Sequence, residues 1–205
     1  MSRFDTVVFD LGGVLIDWNP RYLFRQLSDD AAAVEHFLAE ICSPEWNERQ
    51  DAGRNWAEAT AVLVAQHPQH AAWIEAYHAR WHEMLGGPIA GSVAVLDELR
   101  GRGVPLYALT NWSQETFPVA RRRFDFLQWF AGIVVSGEER LVKPDPEIFR
   151  RMLARFGLQP ARTIYIDDAP RNVAAACRLG MHGLLFHDAT RLRTQLDEAG
   201  VLPHG

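Results

Sequence analysis

The feature that most constrains this chain is the run Thr6-Val7-Val8-Phe9, closed by Asp10 and interrupted by Gly12-Gly13. A β-branched and apolar run with no polar alternation belongs to a strand covered on both faces, the pattern of parallel sheets. Similar runs recur at 104–109, 133–135, 163–166 and 183–186. Helical spacing separates the last four. Ile148, Phe149, Met152 and Leu153 lie within 144–155, and Val173, Ala174, Cys177 and Leu179 within 170–179. Strand and helix in alternation imply right-handed crossovers and a sheet with helices on both sides. The expected fold is α/β, a Rossmann-like parallel sheet of about five strands flanked by helices.

Residues 20 to 85 break this rhythm. Apolar residues there recur at helical spacing: Leu23, Phe24 and Leu27; Val34, Phe37, Leu38 and Ile41; Trp56, Ala59, Val62 and Leu63; Trp73, Ile74, Tyr77 and Trp81. This predicts a helical cap at 18–87, inserted between two pieces of an α/β core at 1–17 and 88–205, with Gly86-Gly87-Pro88 as a hinge or linker back to the sheet. Of the 7 Trp, five (Trp18, Trp46, Trp56, Trp73 and Trp81) fall in or beside this insertion. Most are expected to fill the interior of a small bundle, with one or two facing a pocket.

Composition narrows the classes of function. With 21 Lys and Arg against 26 Asp and Glu, the net charge is −5, and no basic face suggests nucleic-acid binding. The start of the chain, Met1-Ser2-Arg3-Phe4-Asp5, has no secretory pattern, and no segment approaches the length of a membrane span. Cys42 and Cys177 are expected as free thiols in a cytoplasmic protein that binds neither membrane nor nucleic acid. No oligomeric state is implied.

Open parallel sheets bind ligands at the carboxyl ends of their strands. Those ends carry Asp10, Thr110-Asn111 and Asp167-Asp168, and Lys143 lies in the loop after the third strand. Carboxylates brought that close repel one another unless cations compensate. Lys143 and a divalent metal are the natural compensators, and an all-oxygen set favours magnesium over zinc. A carboxylate at Asp10 can attack phosphorus to give an acyl phosphate, with Lys143 and the metal neutralising the phosphoryl oxygens and Thr110 donating to them. Taken singly, Asp167-Asp168 also fits a helix cap, Thr110-Asn111 a turn, and Lys143 a surface lysine. His78 and His82 share a helical face, but with no third ligand they read as a cap-packing or surface pair. The G-x-G-x-x-G pattern of a dinucleotide site is missing at Gly12-Gly13.

Four segments carry a resemblance: Phe9-Asp10-Leu11-Gly12-Gly13-Val14-Leu15, Leu109-Thr110-Asn111, Val142-Lys143-Pro144-Asp145-Pro146-Glu147-Ile148-Phe149 and Tyr165-Ile166-Asp167-Asp168. In order and content they resemble the four motifs of the haloacid dehalogenase-like (HAD) hydrolases, and the Lys-Pro-Asp-Pro segment and Thr-Asn-Trp-Ser resemble the sugar-phosphatase subgroup with a helical cap. The resemblance implies a magnesium-dependent phosphatase acting on a small-molecule phosphorylated substrate. Asp10 would be the nucleophile. Thr110, Asn111 and Lys143 would bind phosphate, with the chain at Gly12 turning close beside it as part of the substrate site; Asp10, the Gly12 carbonyl and Asp168 would hold Mg2+, with Asp167 acting directly or through water. Receiver-type phosphoacceptor modules share these residue types, but in the opposite order along the chain.

The chain departs from that family pattern at Gly12. Family phosphatases carry a second Asp there, two residues after the nucleophile, to protonate the leaving oxygen and activate water. Acid–base help of this kind is worth ~10²–10⁴-fold. The alternatives are a dehalogenase, whose halide leaving group needs no proton; a substitute acid such as Asp17, Glu48 or Asp51; a substrate with a good leaving group; or a binding or regulatory protein impaired in catalysis.

Overall fold

The computed structural model describes residues 3–202; Met1, Ser2 and residues 203–205, taken in by the expected chain start and outer domain bound, lie outside them. The residues of β1 (Thr6–Phe9) are all buried, as the unbroken apolar run demands. The remaining strands in chain order are β2 (Ile16–Trp18), β3 (Leu85–Pro88), β4 (Leu106–Thr110), β5 (Gly132–Val135), β6 (Thr163–Asp167) and β7 (His182–Leu185). Five of them form one sheet in the order β5-β4-β1-β6-β7. Every pairing in it is parallel. The chain runs outward from β1 through β4 to β5, then crosses back to β6 and β7. The direction of winding therefore reverses at β1, which leaves a crevice beyond the carboxyl ends of β1, β4 and β6.

Five helices form the insertion: α1 (Arg21–Leu27), α2 (Ala31–His36), α3 (Pro44–Asp51), α4 (Trp56–Gln66) and α5 (Ala71–Ala79). Helix α2 continues into a π-helical turn, Phe37–Ile41. Six more follow: α6 (Ala90–Gly101), α7 (Phe117–Arg123), α8 (Ser136–Glu139), α9 (Pro146–Phe156), α10 (Pro170–Arg178) and α11 (Ala189–Glu198). One sheet face, with Val8, Leu109, Val134 and Tyr165, packs on α9 and α10 through Ile148, Phe149, Met152, Ala175 and Ala176. The other face, with Val7, Phe9, Ala108 and Ile166, packs on α6 and α11 through Val95, Leu96, Leu99, Leu192 and Leu196. Alternate residues of β1 thus serve opposite layers, as strand geometry requires. None of the helices among the described residues is long and apolar enough to cross a membrane.

Two differences from the sequence reading matter. Gly86-Gly87-Pro88 is no free hinge; it belongs to β3, which pairs antiparallel with β2. Glycine and proline are depleted in strands, so the segment reads as a turn. Here the glycines are needed: Gly87 has φ +135°, and a Cβ on Gly86 would collide with Asp17 and Tyr22. This ribbon lies across both expected domain boundaries. The apolar interior also crosses them, because Phe9 and Leu11 belong to the same buried cluster as Phe24, Phe37 and Trp56.

The cap interior is aromatic. Trp56 packs against Trp46 at 5.5 Å and Tyr77 at 5.8 Å between ring centroids, and Phe24 contacts Phe37, Trp73 and Tyr77. His78 stacks on Trp56 at 4.9 Å, and no cluster of metal-binding groups among the described residues includes it or His82. Trp56 also fixes the cap to the sheet edge. Its indole N–H donates to Ser113 Oγ at 2.9 Å, and its backbone N–H to Glu115 Oε1 at 3.0 Å. Trp56→Ala should lower the unfolding free energy by about 3–5 kcal/mol, through a large cavity and the loss of the indole hydrogen bond to Ser113. Urea titration followed by circular dichroism measures this.

Candidate active site

Each polar residue at the crevice is placed by the end of a strand. Asp10 follows β1, and its backbone N–H donates to the Ile166 carbonyl of β6 at 2.8 Å. Its Oδ1 accepts from the Leu11 N–H at 2.7 Å and pairs with Lys143 Nζ at 2.9 Å. Lys143 Nζ also donates to Asp167 Oδ2 at 2.7 Å, and the Lys143 side chain is only 1 % exposed. One buried ammonium thus lies between two carboxylates from adjacent strands.

Asp167 is fully buried and heavily bonded. Besides Lys143, it accepts from the Tyr165 hydroxyl at 2.5 Å, the Ala169 N–H at 2.9 Å and the Asn172 amide at 3.0 and 3.1 Å. Burial favours its protonated form, but Lys143 and these donors outweigh that and hold the group below its usual range. Asp10 has fewer donors. Burial pushes it up to about 7, against the pull of Lys143 and with a further push from Asp167. Burial would lower Lys143, but the two carboxylates reverse this and raise it.

Asp168 is exposed and accepts no hydrogen bond from another described residue, so it does not act as a helix cap; Ala169 stands at the cap position of α10. Burial and the neighbouring Asp167 charge raise its pKa. Oxygens of Asp10, Asp167 and Asp168 lie within 4.8 Å of one another. That crowding, with a single ammonium to offset it, suits a hard divalent cation. Gly13 makes the arrangement possible. It has φ +74°, and a Cβ there would sit 2.5 Å from Asp168 Oδ2.

Thr110 closes β4 beside β1, 1 % exposed, and its hydroxyl is buried with no partner. Such an orphan is costly unless a ligand completes it. Asn111, expected to bind phosphate, lines the cavity over Asp10 and is also tied to Lys143. Its Oδ1 accepts the Lys143 N–H at 2.8 Å and its amide donates to the Lys143 carbonyl at 3.1 Å, so it clamps the Lys143 backbone.

Residues 4–180 match the sequence profile described as haloacid dehalogenase-like hydrolase. The chain belongs to the HAD-like hydrolase family. The sesquiterpene phosphatase astK of Aspergillus oryzae is 30% identical over 188 residues, covering 92% of each chain. A solved HAD-like family hydrolase from Porphyromonas gingivalis superposes with TM-score 0.70 at 25% identity, covering 93% of this chain and 98% of that one. A HAD family enzyme from Bacteroides thetaiotaomicron, solved with magnesium and inorganic phosphate, has the same fold, with TM-score 0.66 at 21% identity over 90% of this chain and 95% of that one.

In this HAD-like hydrolase a cavity of about 260 Å³ opens over Asp10, lined by Gly12, Gly13 and Asp168 from the sheet side. Trp18, Asn47, Asp51 and Trp81 close it from the ribbon and cap, and Trp112 from the loop after β4. Trp18 and Trp81 are thus the insertion's pocket-facing tryptophans, while Trp46 and Trp56 serve packing. The three candidate acids separate. Asp17 accepts the Tyr22 hydroxyl at 2.5 Å on the ribbon, and Glu48 lines an outer cavity where Arg171 pairs with it at 3.3 Å. Asp51 alone of the three lines the inner one.

Sequence reasoning passed over Tyr165 and Asn172, which support Asp167. Tyr165 lies two residues before Asp167 on one strand, hence on the same face, a signal available from β periodicity. Asn172 returns from the first turn of α10 and carries no local signal. Asp167→Ala would leave Lys143, Tyr165 and Asn172 as buried donors without their shared acceptor. A loss of about 3–5 kcal/mol in unfolding free energy is expected by chemical denaturation.

Proposed function

We propose that this chain hydrolyses a small phosphomonoester through an aspartyl phosphate on Asp10, with magnesium as its cation. The observation carrying this reading is the convergence on one crevice of a buried carboxylate paired with a buried ammonium, an unpartnered threonine hydroxyl and a three-carboxylate cluster. A halide-releasing enzyme has no need of the Asp167–Asp168 part of that cluster. The relatedness to a phosphatase across 92% of the chain supports the same choice.

The roles follow from charge and position. Lys143 and the Leu11 N–H hold Oδ1 of Asp10, which orients the other carboxylate oxygen toward phosphorus. Asp10, Asp168 and the Gly12 carbonyl would hold Mg2+, with Asp167 as supporting carboxylate. The bound cation would neutralise the phosphoryl oxygens and restore Asp10 to its ionised form. Thr110 donates its free hydroxyl to the phosphoryl group, and Lys143 places positive charge beside the oxygens as bonding shifts from the alcohol to Asp10. Asn111 sets the height of Lys143 through its backbone. Trp18, Trp81 and Trp112 offer flat apolar faces and Asn47 a polar one, a mixture suited to a sugar phosphate.

The test is phosphate release from a panel of phosphomonoesters with and without magnesium. Release should require the metal and fall to background in Asp10→Asn. Chloride release from 2-chloropropionate with no phosphate release from any ester would overturn the reading. Gly13→Ala should displace Asp168 and weaken magnesium affinity about 10–100-fold, read by titration calorimetry.

A further inference from the structure

Gly12 leaves the proposed reaction without a proton donor for the leaving oxygen. We infer that Asp51, on cap helix α3, is the general acid and base of this site. The inference rests on the phosphoester reading above and names a group that reading lacks.

Placement comes first. Asp51 lines the same cavity as Asp10, Gly12 and Asp168, and it stands at the last turn of α3, facing the crevice from the cap. Its position is held from two sides. Asn47, one turn earlier, donates to Oδ2 at 3.0 Å, and Ser136 of α8 donates to the Asp51 main-chain carbonyl at 2.5 Å. The Ser113 N–H, in the loop after β4, also bonds this carboxyl, so the group is fixed against the sheet side while it faces the cavity.

The surroundings favour a proton on this carboxyl. Enclosure by the cap pushes it up to about 7, and the charges of Glu48 and Asp10 add to this; the Ser113 N–H opposes. Tyr77 of α5 lies close behind and is itself raised by burial, so it stays neutral. The nearby cations are engaged elsewhere, Lys143 with Asp10 and Asp167, and Arg171 with Glu48. A group that changes charge near neutrality suits both giving and taking a proton.

Residue 12 leaves room for such a group to act. A Cβ built on Gly12 meets nothing within 4 Å. The place where a motif-one acid would stand is therefore open to the cavity that Asp51 lines.

The chemistry balances over two steps. A carboxylate oxygen of Asp10 forms a bond to phosphorus while the bond from phosphorus to the alcohol oxygen breaks, and Asp51 gives its proton to that oxygen. Water then attacks phosphorus and gives a proton to Asp51 while the bond from phosphorus to Asp10 breaks. Ester and water become alcohol and inorganic phosphate, and both aspartates return to their starting states.

Asp51→Asn keeps the shape and the Asn47 contact and removes the proton. It is compared with the unsubstituted chain on an alkyl phosphate, whose leaving oxygen needs a proton, and on 4-nitrophenyl phosphate, whose leaving oxygen does not. The alkyl ester should lose ~10²–10⁴-fold in kcat/KM. The nitrophenyl ester should give a burst of one equivalent followed by slow turnover, with a phosphoryl group on Asp10 visible by intact-mass and peptide mass spectrometry. Gly12→Asp on the same background should restore alkyl-ester turnover. Stability is the control for folding. A carboxyl raised to about 7 from 3.8 costs the folded state progressively as pH rises through that interval, so Asp51→Asn should unfold no earlier than the unsubstituted chain at pH above 7. Unchanged alkyl-ester turnover in Asp51→Asn would overturn the assignment while leaving the phosphoester reading intact. So would equal losses on both esters with no phosphoenzyme in a normally stable variant, or a Gly12→Asp that restores nothing. Absence of magnesium-dependent phosphate release from the unsubstituted chain would remove both.

Discussion

The ammonium of Lys143 between Asp10 and Asp167 is the interaction on which the rest of the site depends. Two carboxylates at the ends of adjacent parallel strands would be driven apart, or one would be neutralised, without it. The sheet cannot relieve the strain by moving them, because β1 and β6 are locked in register along their length. Burying the pair is costly in turn, and the cost is met by a dense set of donors on Asp167 and by the clamp of Asn111 on the Lys143 backbone. The asymmetry in donors decides which carboxylate is which. Asp167 accepts from Lys143, Tyr165, Ala169 and Asn172, while Asp10 keeps an oxygen that no described residue satisfies. The same side chain is thus held ionised at one strand end and pushed toward its protonated form at the next, by environment alone.

The second constraint is the way the insertion meets the sheet edge. A helical cap on a flexible tether would leave the cavity roof loosely defined. Here the β2–β3 ribbon pairs the outgoing and returning chains, and an aromatic interior runs without interruption from the sheet into the cap. Trp56 combines both roles, filling the cap and reaching Ser113 in the loop after β4. That loop also supplies Trp112 to the cavity wall and follows directly on Thr110. Cap position is therefore mechanically joined to the strand end and loop that carry Thr110 and Trp112 to the crevice.

The strands were legible because burial on both faces leaves an unmistakable apolar run, and the crevice was legible because their order places Asp10, Thr110 and Asp167 at neighbouring ends. The family was legible from four short motifs. What sequence could not reveal is long-range. The pairing of Ile16–Trp18 with Leu85–Pro88 joins segments a whole cap apart, and the glycines that permit it imitate a turn. The clamp of Asn111 on the Lys143 backbone was equally hidden, because the two residues are remote in sequence. Asp17, Glu48 and Asp51 were indistinguishable as letters, and they differ only in what the fold sets beside them: a phenol, a guanidinium and an open cavity.

Ser136 shows what such a join implies. Its hydroxyl accepts the Trp112 N–H at 2.8 Å and donates to the Asp51 carbonyl, so a single oxygen touches the sheet-edge loop and the cap helix at once. It works as a ruler. Together with the β2–β3 ribbon and the Trp56 contacts, this short bridge helps to set how far the roof of the cavity stands from its floor. Reactions that need groups on both sides lose rate steeply with misplacement of about 1 Å. A fixed height sorts ligands by their length along that axis, whatever the chemistry of their walls. In this fold selectivity can therefore be retuned at joints such as Ser136, which does not line the cavity, without altering a residue that meets the ligand.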